Sequence, residues 1–236
     1  MCPRDQGWEV RAAQWLAWAR TPGHDAYWDY RDAFFALLPD PAGRTLEIGC
    51  GEGRVSRDLT ARGHRVTGLD ASPTLVRAAA ELDPGGDYVL GRAEALPFAD
   101  ETFALVVAYN VLMDVEDMPG AVREAARVVA PGGRLGVCVT HPFADAGRWE
   151  TETEPARFVV TGSYLQDGPF QVTIERNGLT MIFDGTAYPL QSYASAFEAG
   201  GLLIEAIREP KPAKGGVSDG QWCRLPMFLM LRALKP

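Results

Sequence analysis

The sequence predicts a doubly wound α/β fold, built around a seven-stranded and mostly parallel sheet with helices on both faces. One observation is the alternation of apolar, β-branched runs with helix-period segments between Arg44 and Thr140. Another is a glycine-rich turn after the first run, at the sheet edge where open α/β folds bind ligands. A third is the nearly all-apolar run Phe103–Tyr109, typical of a central parallel strand covered on both faces.

The first part of the chain contains five predicted strands, separated by helices and turns. Gly63 ends the first helix, Ser72-Pro73 starts the second, and Pro84-Gly85-Gly86 ends it. The turn Pro131-Gly132-Gly133 leads into the fifth strand. The predicted strands are Arg44–Ile48, His64–Asp70, Asp87–Leu90, Phe103–Tyr109 and Arg134–Thr140, and the helices lie near Arg54–Arg62, Leu75–Leu82 and Pro119–Val129.

The pattern changes after His141, where apolar and polar residues begin to alternate. Asn177-Gly178 is a strong hairpin signal, because type I′ turns need a positive φ at both central residues. We therefore expect an antiparallel insertion with strands at Phe170–Glu175 and Leu179–Asp184. A helix is predicted at Leu190–Glu198, and two final strands at Leu202–Arg208 and Pro226–Ala233, the last of them antiparallel.

The whole chain, 1–236, is expected to form one domain. Its predicted parts are a helical cap (1–42), a core (43–142), a β insertion or lid (143–188), and a C-terminal helix with the last two strands (189–236). The cap is rich in aromatic residues as far as Leu38. We expect it to lie across the carboxyl edge of the sheet, where ligands sit in such folds.

Composition excludes several classes of function. The chain has 236 residues, 47% of them hydrophobic, and a formal net charge of −8 without a Lys/Arg cluster, so nucleic acid is not expected as a partner. No apolar run reaches the ~18 residues that a membrane span needs, and no membrane association is expected. The four cysteines are widely spaced and the histidines number three, which predicts a cytoplasmic protein without a metal site.

The glycine turn, LEIGCGEGR from Leu46 to Arg54, restricts the classes of ligand that the site is expected to bind. A dinucleotide fingerprint would need glycine where Arg54 stands, and the Gly-Lys-Ser/Thr ending of a phosphate-binding loop is absent. Glu47 stands two residues before Gly49, and a carboxylate there suits an ammonium group but would repel phosphate. The turn therefore favours a ligand with an amino-acid end.

Four motifs in this order resemble those of the class I S-adenosylmethionine-dependent methyltransferases, especially their small-molecule branch. They are LEIGCGEG at 46–53, GLDAS at 68–72, AEALPF at 93–98 and PGG at 131–133. The resemblance spans roughly Gly43 to Thr140, with a weaker echo from Pro189 onward. It implies a Rossmann-like methyltransferase fold and S-adenosylmethionine as the cofactor.

The resemblance also implies a set of cofactor-binding residues. Glu47 and the amides of Gly49 and Gly51 would hold the methionine end, and Asp70 the ribose hydroxyls. An acid about 20 residues beyond the turn is also well placed, on physical grounds alone, to accept hydrogen bonds from a ribose diol. The remaining members are Cys50 and Gly53 in the turn, Ser72 beside Asp70, Ala71 against the adenine, Ala93 and Glu94 at its amino edge, and Asn110 with Val111 beneath the sulfonium.

Two positions depart from the family pattern. Arg92 and Ala104 stand where an acid is frequent in the family, and Glu94 is the candidate substitute at the amino edge of adenine. An alternative function therefore stays open: a protein of this fold that no longer transfers methyl groups. It would be a ligand-binding or partner subunit, or an enzyme of cyclisation or elimination. A nicotinamide oxidoreductase ranks low because of Arg54.

Methyl transfer from a sulfonium depends mainly on positioning, so no catalytic side chain is strictly required. If the acceptor needs a general base, His141 is the candidate, since it closes the fifth strand on the cofactor side. The alternative is a histidine held by local hydrogen bonds that shapes the turn before Pro142.

The acceptor is expected to be a small, partly apolar metabolite methylated at oxygen, nitrogen or carbon. Its pocket should be walled by the cap, the turn after the fourth strand and the hairpin. The sequence leaves the oligomeric state open, a homodimer included. The candidate pocket residues are Tyr27, Tyr30, Met113, Trp149, Tyr164 and Tyr188.

Overall fold

The computed structural model describes residues 3–151 and 156–236; residues 1–2 of the predicted cap and 152–155 of the predicted insertion lie outside them. A 3₁₀ segment, Pro3–Arg11, precedes the helices. The helices are α1 (Ala12–Ala19), α2 (Tyr27–Leu37), α3 (Arg54–Ala61), α4 (Pro73–Leu82), α5 (Met118–Val128), α6 (Pro142–Asp145) and α7 (Leu190–Ala199).

The strands confirm the α/β fold that the sequence predicts. They are β1 (Arg44–Ile48), β2 (Arg65–Asp70), β3 (Asp87–Leu90), β4 (Phe103–Tyr109), β5 (Val129–Thr140), β6 (Gly147–Trp149), β7 (Phe158–Val160), β8 (Gly168–Arg176), β9 (Leu179–Ala187), β10 (Leu203–Arg208) and β11 (Phe228–Leu234). β5 begins five residues earlier than predicted, because the Pro131-Gly132-Gly133 turn is included in the extended segment.

Seven strands form one sheet in the order β10-β11-β5-β4-β1-β2-β3. Strands β1 to β5 are parallel, while β11 runs antiparallel to both β5 and β10. The order reverses between β1 and β4, since the chain winds outward from β1 to β3 and then returns to the other side. This switch point opens a crevice at the carboxyl edge of the sheet.

Alternating side chains bury the sheet on both faces. Leu46, Ile48, Val106 and Ala108 of β1 and β4 pack with α5 and α7 on one face. On the other face Leu105, Val107 and Tyr109 of β4 pack with α2 and α3. Helices on both sides hold the strands in register, so the loops at the carboxyl edge stand on a rigid base.

The N-terminal cap divides into two parts, and this corrects the expectation that all of it crosses the carboxyl edge. The segment as far as α1 does lie at that edge, where Trp15 approaches the glycine turn at Gly51. Helix α2 instead covers a sheet face: Phe34 is fully buried and packs on Tyr109 of β4. Its row of aromatic side chains is explained by this core packing.

The insertion contains the predicted hairpin and two elements that were not predicted. β8 and β9 pair antiparallel around Asn177-Gly178, both with positive φ, and extend further than the sequence suggested. The short helix α6 and the pair β6–β7 precede them. Among the described residues, no helix has the length and apolar character needed to cross a bilayer.

Candidate functional site

The glycine turn between β1 and α3 has a backbone that only glycine adopts without strain. Gly49, Gly51 and Gly53 have φ of 69°, 56° and 85°. A Cβ on Gly49 would lie 2.4 Å from a methyl carbon of Val111, and one on Gly51 would lie 3.1 Å from the indole nitrogen of Trp15. The three glycines therefore serve both the sharp turn and the close approach of neighbouring segments.

Asp70 closes β2 and is held against this turn. Its Oδ2 accepts a hydrogen bond from the backbone N–H of Gly51 at 2.8 Å, and its Oδ1 accepts one from the N–H of Ser72 at 2.8 Å. Burial raises the pKa of Asp70, while these backbone donors act in the opposite direction. The backbone N–H of Ala71 is a third donor to this carboxylate. With three donors on four lone pairs, the carboxylate can still accept a hydrogen bond from a bound diol.

Ser72 caps helix α4, as the sequence suggested it could. Its hydroxyl accepts the N–H of Leu75 at 3.2 Å and donates to the carboxylate of Glu9. The same carboxylate accepts a hydrogen bond from the Thr74 hydroxyl at 2.6 Å. The N-terminal segment is thereby fastened to the start of α4.

Glu47 is buried between β1 and α3, with 1% of its surface exposed. Its carboxylate accepts a hydrogen bond from the Ser56 hydroxyl, and burial raises its pKa to about 8. Among the described residues it forms no ion pair within 4 Å. Cys50, the next buried residue of the turn, is a free thiol whose pKa burial raises. An uncompensated buried acid at a ligand crevice is a candidate for pairing with a cation.

The turn after β4 carries a second unusual conformation. Asn110 has φ of 52°, and its N–H donates to the carbonyl of Cys138 at 2.8 Å. Its Oδ1 is buried and has no hydrogen-bond partner among the described residues. A buried carbonyl without a donor costs free energy, so a strained asparagine left in this state is typical of a ligand site.

Ala93 and Glu94 follow β3 at the outer side of the crevice. Ala93 is buried, whereas the Glu94 carboxylate accepts the backbone N–H of Glu116 at 3.1 Å and contacts Arg92 at 3.4 Å. Arg92 is half exposed and pairs with Glu116 at 2.9 Å. Arg92, which departs from the family pattern, thus points outward and links the loop that carries Glu94 to the loop that carries Glu116.

His141, the candidate base, has both ring nitrogens engaged. Its Nδ1 accepts the backbone N–H of Phe143 at 3.0 Å, which caps α6, and its Nε2 lies 2.9 Å from Glu209. With Nδ1 accepting, the neutral ring carries its proton on Nε2 and donates it to Glu209. Burial lowers the pKa of His141, and Glu209 opposes that change. These contacts favour the alternative interpretation, in which His141 shapes the turn before Pro142.

The six candidate pocket residues do not come together. The hydroxyl of Tyr27, in α2, donates a hydrogen bond to Asp58 of α3 at 2.6 Å. Tyr30, also in α2, is fully buried against Phe228. Met113 and Tyr188 pack on the opposite sheet face, beside the hairpin.

Trp149 and Tyr164 lie further out in the insertion. Trp149 packs edge-to-face on Phe158 and Trp222. The Tyr164 hydroxyl accepts the N–H of Leu190 at 3.5 Å. Of the six predicted pocket residues, only Met113 and Tyr188 therefore lie together beside the hairpin.

The N-terminal strap, Gly7–Ala19, makes specific contacts that were not predicted from the sequence. Glu9 binds the start of α4, Trp15 covers Gly51, and Arg11 donates to both carboxylate oxygens of Asp184 in β9, at 2.9 and 2.8 Å. The strap therefore joins the cofactor side of the crevice to the hairpin. Contacts between segments more than 170 residues apart leave no local pattern.

Two carboxylates were also missed. Asp114 stands in the turn after β4, where the Trp8 indole hydrogen-bonds to its side chain, and burial raises its pKa well above the ordinary value. Asp145 ends α6, and burial raises its pKa to about 7. The reasoning that selected Asp70, an acid just beyond a parallel strand, could have selected Asp114 as well.

A separate depression of about 190 Å³ lies at the opposite, amino-terminal edge of the sheet. Thr45, His64 and Ala104 are among the residues that line it, and His64 contacts Thr45 at 3.1 Å. It contains none of the motif residues at the carboxyl edge. The crevice above β1, β2 and β4 is the candidate active site.

Comparison with known proteins agrees with this location. A family model described as a methyltransferase domain matches residues 46–137, which include the glycine turn, Asp70 and the turn after β4. A ubiquinone biosynthesis O-methyltransferase of Methylobacterium sp. (strain 4-46) is 47% identical over 103 residues, or 41% of each chain. A demethylmenaquinone methyltransferase of Thermobifida fusca is 37% identical over 122 residues, 49% of this chain and 51% of the relative.

These curated relatives are matched over about two fifths to one half of their length. Most of the chain aligns in three dimensions with the crystal structure of an S-adenosylmethionine-dependent methyltransferase from Mesorhizobium loti. The TM-score is 0.72, at 24% identity, over 89% of this chain and 98% of the other, a likeness that concerns the fold. Residues 46–137 thus resemble a methyltransferase domain in sequence, and the chain resembles an S-adenosylmethionine-dependent methyltransferase in fold.

Proposed function

We propose that the protein transfers a methyl group from S-adenosylmethionine to an oxygen, nitrogen or carbon atom of a small metabolite. The observation that carries the proposal is the arrangement at the switch point. There, backbone N–H groups of Gly51 and Ser72 fix Asp70 beside the glycine turn. This arrangement lies within the segment that matches the methyltransferase domain.

The side chains present suit this cofactor. Asp70 offers a lone pair for ribose hydroxyls, and the glycines of the turn put no Cβ between its backbone and a ligand. Asn110 Oδ1 is buried and lacks a donor, which a polar group of the ligand would supply. Glu47 is a buried acid without an ion-pair partner, consistent with an electrostatic role toward the ammonium of the methionine end.

S-adenosylmethionine supplies an electrophilic methyl group on a sulfonium, so the residues of this chain need only bind, align and shield the reactants. We assign Gly49, Cys50, Gly51 and Gly53 to the methionine end. Asp70, with Ser72 beside it, takes the ribose, Ala71 lies against the adenine, Ala93 and Glu94 border its amino edge, and Asn110 and Val111 lie beneath the sulfonium. Val111 contacts Gly49 closely, which supports the last pair.

The acceptor is proposed to be small and partly apolar. One named relative is described as a ubiquinone biosynthesis O-methyltransferase and the other as a demethylmenaquinone methyltransferase, and the family model leaves out the cap and the hairpin of this chain. Aromatic side chains of the strap and the hairpin, Trp8, Trp15 and Phe183, form a continuous edge-to-face series. They suit a planar or apolar part of an acceptor.

The proposal includes a cytoplasmic location and no nucleic-acid partner. Cys50, Cys138 and Cys223 are free thiols, consistent with a reducing compartment. The homodimer stays an open proposal, which light scattering of the purified protein would test directly.

Isothermal titration with S-adenosylmethionine, S-adenosylhomocysteine and NAD tests the proposal first. We expect affinity for the first two, roughly micromolar, and none for NAD. The Asp70→Asn protein is the matched variant, because it alters the proposed ribose contact while keeping the side-chain shape. Failure of the wild-type protein to bind either sulfur compound would refute the proposed cofactor.

A further inference from the structure

We infer that the acceptor of the proposed transfer is a protonated amine, and that Asp114 binds it and removes its proton. This inference rests on the proposed function and names the substrate class of the same site. It is carried by the position of Asp114, by the charges around it, and by the polar groups left without partners beside it.

Asp114 stands where the three walls of the crevice meet. Its own N–H donates to the carbonyl of Val111 at 2.9 Å, so it belongs to the turn that lies against the glycine turn. The Trp8 indole of the N-terminal segment donates to its carboxylate. The hairpin adds the third wall, because a Cβ on Gly185 of β9 would lie 3.1 Å from Asp114 Oδ1.

Glycine at position 185 permits this contact. The N–H of Thr186 donates to the carbonyl of Met113 at 2.8 Å, which fixes β9 against the turn after β4. A side chain at Gly185 would collide with that same carbonyl at 2.5 Å. The hairpin is therefore seated directly beside the carboxylate.

The electrostatic surroundings of Asp114 are acidic. Asp184, Asp70 and Asp145 all act on it in the direction that raises its pKa, from β9, β2 and α6 respectively. Arg11 neutralises Asp184 through a two-bond ion pair. In the described part of the chain, no Lys, Arg or His side chain forms an ion pair with Asp114 or Asp145.

Two polar groups near Asp114 receive no hydrogen bond from the described residues. The Asp145 side chain is partly buried, and the described residues donate no hydrogen bond to its carboxylate. Asn110 Oδ1, at the start of the Asp114 turn, is buried and unpaired. All of these groups are acceptors of hydrogen bonds, so the ligand that satisfies them is a donor. An ammonium carries three donors and a positive charge, which matches the set.

The charges distinguish an amine from a phenol or an acid. Methylation of a phenol passes through a developing phenolate, which two unpaired carboxylates would repel. Removing one proton from an ammonium leaves a neutral amine, and the carboxylate that takes the proton loses its own charge. Because burial raises the pKa of Asp114, its carboxylate is a stronger base than an exposed one.

The step balances without a further reagent. Asp114 takes one proton from R–NH₃⁺, and the freed lone pair of nitrogen attacks the methyl carbon. A nitrogen–carbon bond forms as the carbon–sulfur bond breaks, and its electron pair stays on sulfur as S-adenosylhomocysteine. The product is a methylated ammonium, and the proton on Asp114 leaves to solvent.

Calorimetry on the protein saturated with S-adenosylhomocysteine tests the inference with three probes of one shape: 2-phenylethylamine, 2-phenylethanol and 3-phenylpropionate. We expect the amine to bind about tenfold or more tightly than the alcohol, and the acid least. The amine stays protonated below a pH of about 10, as a lysine side chain does. Its affinity should therefore fall at low pH because the carboxylates that face it, Asp114 and Asp145, become protonated.

The Asp114→Asn variant should lose the preference for the amine and its pH dependence, while its affinity for the alcohol and for S-adenosylhomocysteine stays within twofold. Glu175→Gln, an exposed acid near the tip of the same hairpin, is the control and should behave as wild type. If Asp114→Asn does not fold, Trp8→Phe decides, because removing the indole donor should move the pH dependence of amine binding upward.

Equal affinities for amine and alcohol, or no amine binding, would overturn the inference. A wild-type pH profile in Asp114→Asn would also overturn it. The proposed function fails on a different result, the absence of binding of S-adenosylhomocysteine itself. In that case the three probes can still be compared on the free protein.

Discussion

The two sides of the crevice are built in different ways. The proposed cofactor side is local: one turn of three glycines and the acid at the end of the next strand, joined by a backbone hydrogen bond. The acceptor side is assembled from segments far apart in the chain, through side-chain pairs such as Arg11 with Asp184. The first can be read from short motifs, whereas the second exists only once the chain has folded.

This difference agrees with the comparisons. The family model covers residues 46–137, which hold the cofactor side, and leaves out the strap and the hairpin. Chains that share the cofactor half are therefore free to differ in the acceptor half. Substitutions on the cofactor side should change cofactor affinity, and substitutions on the acceptor side should change selectivity.

Gly49→Ala should have the largest effect. Position 49 has φ of 69°, and the added Cβ would meet Val111 at 2.4 Å, so we expect about 1–2 kcal/mol of backbone strain plus 1–3 kcal/mol of overpacking. Cofactor affinity should fall about a hundredfold or be lost. Gly178→Ala is the matched control on the acceptor side, since φ is 76° there and the Cβ meets no atom within 4 Å. Equal losses of stability and cofactor affinity in the two variants, measured by thermal unfolding and titration, would contradict the proposed difference between the two sides.

Glu47 should make stability fall as pH rises. Its folded pKa is about 8 against 4.5 for the free side chain, so between those values the folded state holds a proton that the unfolded chain releases. The stabilisation is complete below pH 4.5 and is lost as pH rises through 8, with a slope of up to about 1.4 kcal/mol per pH unit. Urea unfolding of wild type and Glu47→Gln across this range measures the difference, which should vanish if Glu47 is ionised throughout.

Asp70→Asn should weaken S-adenosylmethionine binding by roughly 1–3 kcal/mol, the scale of hydrogen bonds to a charged group. The amide keeps one acceptor oxygen but opposes the N–H of either Gly51 or Ser72 with a donor. Titration calorimetry measures the change, and Asp87→Asn at the edge strand is a control. An affinity equal to wild type would remove Asp70 from the cofactor site.

His141→Ala should have the smallest effect. Losing the cap on Phe143 N–H should cost about 1 kcal/mol of stability, and methyl transfer should stay within a few-fold of wild type. His141→Asn should restore the stability, because asparagine is also a good cap. A loss of turnover of about a hundredfold, without a loss of cofactor affinity, would restore the role of general base.

Much of the fold could be predicted because its signals are local. Gly63, Ser72-Pro73 and the strand pattern around Phe103–Tyr109 each act within a few residues, and the structure places elements at those positions. Asn177-Gly178 predicted the hairpin for the same reason. β6 and β7 were missed because three-residue strands have no periodicity to detect.

The candidate site could be predicted only in part. The motif residues lie close together in sequence and meet at one edge. Tyr27 and Tyr30 were assigned to the pocket from their residue type, yet they are buried residues of α2, because the same aromatic residues that suit a pocket also suit a core. Asp114 was overlooked because its surroundings come from Trp8 and β9, which no local pattern places beside it.

The strap has a consequence for the timing of each catalytic cycle. Glu9 at α4 and Arg11 at β9 fasten its N-terminal part, and Trp15 lies over the glycine turn. In the proposed reaction, S-adenosylhomocysteine leaving past the strap would have to wait until one of these contacts opens, so product release and methyl transfer would be separate steps. The slower of these two steps would then set the turnover rate. Weakening the Glu9 contacts would shorten the time that S-adenosylhomocysteine stays bound, without altering the reacting groups.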